Sequence, residues 1–101
     1  MNTIAGKNGD LRVVDVDQSY LVELVDTWAE RMHTAKKYST CQHAKIAAAV
    51  MEAGAWSTLI DVATAKNEDR QKIVSMRRER AGVVAEVLAL LGNTVEHGIA
   101  A

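Results

Sequence analysis

His43 to Ala65 reads HAKIAAAVMEAGAWSTLIDVATA, and only Lys45, Glu52 and Asp61 carry charge in it. A helix at the surface of a single globule shows water one face, so one that is apolar on nearly every side must be covered around most of its circumference. A chain of 101 residues has few other elements to do the covering. The expectation is therefore a domain whose middle helix meets both its neighbours and a further surface, either a second copy of the chain or another protein.

The flanking segments supply the neighbours. Residues 1–10 are polar with two glycines and read as an arm. Leu11 to Asp17 (LRVVDVD) is β-branched and reads as an extended lead-in or a short strand. A first helix is expected from Gln18 to Lys37, capped by Asp17 or Ser19. Leu21, Leu24, Val25, Trp28, Met32 and Ala35 recur along it at three- and four-residue steps. Tyr38-Ser39-Thr40 breaks the pattern, and the middle helix should run on to about Lys66. Asn67 is the expected cap of a third helix, with Glu68 and Asp69 in its first turn where the helix dipole favours acids. Ile73, Met76, Val84, Val87, Leu88, Leu91 and Val95 form its apolar stripe, with a bend near Gly92 and a stop at Gly98. The fold expected is all-α: an antiparallel three-helix domain over residues 18–101, an extended arm over 1–17, and association into a dimer or larger homo-oligomer.

Composition narrows the function classes. The formal charge of -1 selects neither nucleic acid nor an anionic membrane. One cysteine, Cys41, allows no internal disulfide and fits a reducing cytoplasm. The opening MNTIAGKNGD lacks the charged and apolar regions of a signal peptide. The apolar run is long enough to raise membrane insertion, but it is built on alanine and interrupted by charge, so a buried helix and no membrane partner are expected. No proline or phenylalanine occurs, so the core must be aliphatic and alanine-rich, which suits close helix packing.

Three groups of side chains are candidates for chemistry. Glu52 stands in the most apolar part of the chain, and Glu79 and Glu86, seven residues apart, share a face of the third helix. Brought together, three carboxylates would suit Mg²⁺, against an alternative of ordinary surface acids balanced by Arg78 and Arg80. RQKIVSMRRER (70–80) holds Arg70, Lys72, Arg77, Arg78 and Arg80. Arg77, Arg78 and Arg80 are the candidate phosphate or nucleic-acid contacts, although the interleaved acids favour a solvated helix end. His33, Cys41 and His43 lack standard zinc spacing. Trp28, Met51, Trp56 and Leu59 are the candidate partner-binding residues, since large apolar side chains dominate such contacts.

The layout also resembles a family. TWAER (27–31), a Ser39-Thr40 helix start, Glu52-Ala53-Gly54, a charged turn and EVLALLG (86–92) are similar to the MazG-like all-α nucleoside triphosphate pyrophosphohydrolases, in particular their short phage-type members. The resemblance implies Mg²⁺ held against a triphosphate by carboxylates in a Glu-Glu-x-Gly-Glu block and a later Glu-x-x-Asp block. Matched on the glycine, the first block here is Met51-Glu52-Ala53-Gly54-Ala55, and the second is Val83-Val84-Ala85-Glu86. Glu52 and Glu86 keep carboxylates, with Glu79 or Asp61 as possible supplements, and the other positions depart from the pattern. The expected function is thus a small helical interaction or regulatory protein of phage or mobile-element type that needs no cofactor and works through an apolar helix face. A Mg²⁺-dependent pyrophosphohydrolase and a nucleic-acid-binding dimer are the alternatives.

Overall fold

A computed structural model describes the backbone of residues 16–100 and the side-chain surroundings of residues 16–92. The extended or strand reading of residues 11–17 falls, but for Val16 and Asp17, outside the described residues, as does the side chain of Val95. Three helices make up the protein: α1 (Gln18–Thr34), α2 (Thr40–Ala65) and α3 (Arg70–Ala100). No strand occurs among the described residues.

Their apolar stripes close into one core. Leu21, Val25, Trp28 and Met32 of α1 meet Ile46, Ala49, Val50 and Ala53 of α2 and Val84, Val87 and Leu91 of α3. Leu21, Ile46, Val84 and Val87 are fully enclosed, at a value of roughly 1.5–3 kcal/mol each against exposure. Alanines at 49 and 53 are what α2 contributes where larger side chains would hold the helices apart. The most extensive packing is between α2 and α3.

The helix ends correct the sequence expectation. α1 stops at Thr34, three residues early, because Lys36 takes a left-handed conformation with φ of 60°. Its N–H donates to the His33 carbonyl, and that of Lys37 to Met32, the paired bonds of a Schellman cap. α2 ends the same way. Asn67, with φ of 55°, donates to Thr64, and Glu68 donates to Ala63. Asn67 therefore closes α2 instead of opening α3, and Glu68 and Asp69 precede α3 instead of filling its first turn. Asparagine suits both roles in sequence, as helix opener and as left-handed closer, and the second prevails here. Ser39 caps α2 as expected, its Oγ accepting from Gln42 N–H at 3.2 Å. Asp17 stands at the N-cap of α1 but makes no side-chain cap bond. α3 runs on through Gly98, the expected stop.

Two substitutions test these readings. Lys36→Gly relieves the left-handed residue and should raise stability by about 1 kcal/mol in urea titration, whereas Lys36→Ala should not. An added Cβ at Gly82 meets no atom within 4 Å, so Gly82→Ala should stabilise by about 1 kcal/mol through helix propensity alone.

A candidate interaction face and the polar clamp behind it

α2 divides lengthwise into two faces of similar composition and opposite fate. The inner face carries Ile46, Ala49, Val50, Ala53 and Ala63, all buried. On the outer face Met51 is 73% exposed, Leu59 51% and Val62 44%. Cys41, Ala44, Ala48, Ala55, Thr58 and Ala65 are exposed along the same side. α2 is also long and apolar enough to cross a membrane, and only 28% of its most apolar window is buried. Apolarity on every side, inferred from sequence, is thus matched by apolar surface the three helices leave open.

Polar groups fasten the inner face. Arg80 of α3 is 5% exposed. Its Nε donates to the Ala53 carbonyl at 3.2 Å and its Nη2 to Gln18 Oε1 at 3.2 Å. Gln18, the first residue of α1, donates its Nε2 to the Val50 carbonyl at 2.8 Å. Two side chains thereby tie all three helices to adjacent turns of α2. Loss of water around the guanidinium lowers the Arg80 pKa, and the negative charge of Asp17 opposes that shift. Gly54 makes room for the clamp: a Cβ there would lie 3.0 Å from Gln18 Nε2 and 3.3 Å from its Cδ.

The clamp draws Arg80 away from the expected phosphate contacts, because its side chain is buried and its Nε and Nη2 are engaged inside the fold. Arg77 and Arg78 remain exposed. A groove of about 170 Å³ beside Arg77 and Arg80 is lined as well by Asp17 and Asp61, which offset the positive charge a phosphate would need. Trp28 is likewise removed from the expected partner contacts. It is 2% exposed and packs edge-on against His43, with ring centroids 5.5 Å apart. Trp56 is half-buried, and Met51 and Leu59 are open to a partner.

Glu52, Glu79 and Glu86 are exposed. Among the described residues no group of three or more His, Cys, Asp or Glu side chains is placed to hold a metal ion. The histidines near Cys41 serve packing instead. His33 stacks on Tyr38 with centroids 3.9 Å apart, and Tyr38 Oη lies 2.6 Å from His43 Nδ1. The indole Nε1 of Trp28, enclosed beside this cluster, has no hydrogen-bond partner among the described residues.

Comparison of the chain with protein-family models, curated proteins and solved structures finds no match.

The clamp predicts a graded response. Arg80→Ala should destabilise by about 2–4 kcal/mol, since it opens a cavity and strands Gln18 Oε1. Arg80→Met fills the space without the donors and should cost less. Gly54→Ala should lower the melting temperature, opposite in sign to Gly82→Ala, because the methyl displaces Gln18.

Proposed function

We propose that this protein acts by binding, with the outer face of α2 as its contact surface and no chemistry of its own. The observation that supports this reading is the exposure of Met51, Leu59 and Val62 on a helix whose other face already fills the core. Isolated exposed apolar residues are ordinary, but a continuous apolar face along a whole helix marks an interaction site. The face is held in place from behind, since Gln18 and Arg80 fix α2 by its backbone. Such pre-organisation lowers the ordering cost of association. Lys45, Glu52 and Asp61 border the face and leave its centre uncharged, the arrangement of an apolar patch with a polar rim.

The test uses a photo-cross-linking amino acid placed at Met51 in cells that express the protein, with the same residue at Glu30 of α1 as control. Adducts are expected from position 51 and not from position 30. No adduct of any mass from position 51 would end the binding reading.

A further inference from the structure

We infer that the occupant of the outer α2 face is the same face of a second copy, laid antiparallel with the dimer axis passing at the level of Ala53. This rests on the binding reading above and adds the partner and its register.

Eight exposed positions of α2 form one seam, Cys41, Ala44, Ala48, Met51, Ala55, Thr58, Val62 and Ala65, with Leu59 and Glu52 exposed along one edge of it. The seam's spacing alternates strictly between three and four residues, the repeat by which two helices pack side by side. The seam is symmetric about position 53. Two antiparallel copies therefore set Cys41 against Ala65, Ala44 against Val62, Ala48 against Thr58 and Met51 against Ala55. Every layer then holds one alanine and one other residue, so one interhelical distance serves the whole length. A parallel pair would oppose Met51 to Met51 and Val62 to Val62, with Ala55 against Ala55 and Thr58 against Thr58 between them. No single separation fills those layers, and the helix dipoles would align unfavourably.

The electrostatics at the rim are small by comparison. The antiparallel register brings the two Glu52 side chains to the same edge within a turn of the axis. Both are exposed, so solvent screens this repulsion and limits it to about a two- to fivefold effect on the dimer. The seam is about 36 Å long and about 10 Å wide, or roughly 700 Å² over both copies, against about 1,200–2,000 Å² in stable complexes. The dimer is accordingly weak and reversible.

Sedimentation equilibrium from about 10 µM to about 1 mM should show the mass rise from one chain to two. Glu52→Gln should tighten the dimer by about two- to fivefold. Under mild diamide oxidation of concentrated protein, the Ala65→Cys variant should form a disulfide-linked dimer through Cys41 of the second copy. The wild type and the Cys41→Ser/Ala65→Cys variant should not. A dimer that cross-links in the wild type is parallel and overturns the register. A single-chain mass up to about 1 mM, or binding to phosphatidylcholine vesicles in place of self-association, overturns the second copy as occupant. The binding reading is decided separately, by the adducts from position 51.

Discussion

The hydrogen bonds that Arg80 and Gln18 make to the backbone of α2 set the geometry on which the rest of the fold depends. α2 has almost no hydrophobic preference between its two sides, so burial alone gives weak instruction about which side turns inward. Gly54 supplies that instruction, because the backbone without a Cβ there admits Gln18 to the carbonyl of Val50, beside the bond from Arg80 to the carbonyl of Ala53. Rolling α2 by half a turn would put the side chains of Glu52 and Trp56 where Gly54 now leaves room, and would hold the Gln18 amide and the Arg80 guanidinium away from the backbone they bond. Buried polar groups of this kind are known in other proteins to select one packing among near-equals.

Alanine has a double role in the same helix. At positions 49 and 53 it allows close approach of the neighbours, and Gly54 next to them admits the Gln18 side chain. At 44, 48 and 55 it faces outward, where it adds apolar surface with little relief. A surface of that kind needs a long, regular contact to gain anything, which is what another straight helix offers.

Much of this was readable from the chain. The steps Leu21, Val25, Trp28, Met32 and Val84, Val87, Leu91 identify two amphipathic helices, and these residues are the core. The excess apolarity of the middle helix is equally plain. The helix ends were harder, because Asn67 and Lys36 obey tertiary and cap geometry over local preference. The sequence offers Arg80 as a phosphate contact and hides its buried role, although the signal for burial is present. Arg80 follows Met76 by four residues and precedes Val84 by four, squarely on the apolar stripe, but the run RRER reads as one solvated cluster. Trp28 suits a core or a partner surface equally well as a large aromatic, and only its position on the α1 stripe separates the two. The carboxylates at 52, 79 and 86 could not be placed from sequence, since convergence depends on how helices rotate against each other.

The enclosed indole of Trp28 has no acceptor among the described residues and is nearly shut off from solvent, while Trp56 retains partial solvent access. The two fluorophores thus occupy environments of different polarity within one small domain. Emission at the blue end is expected from the first, where it would report whether the three helices stand together, and the redder part from the second, on α2 itself. The protein carries two built-in optical reporters, one for its own integrity and one for events along the helix it presents to others.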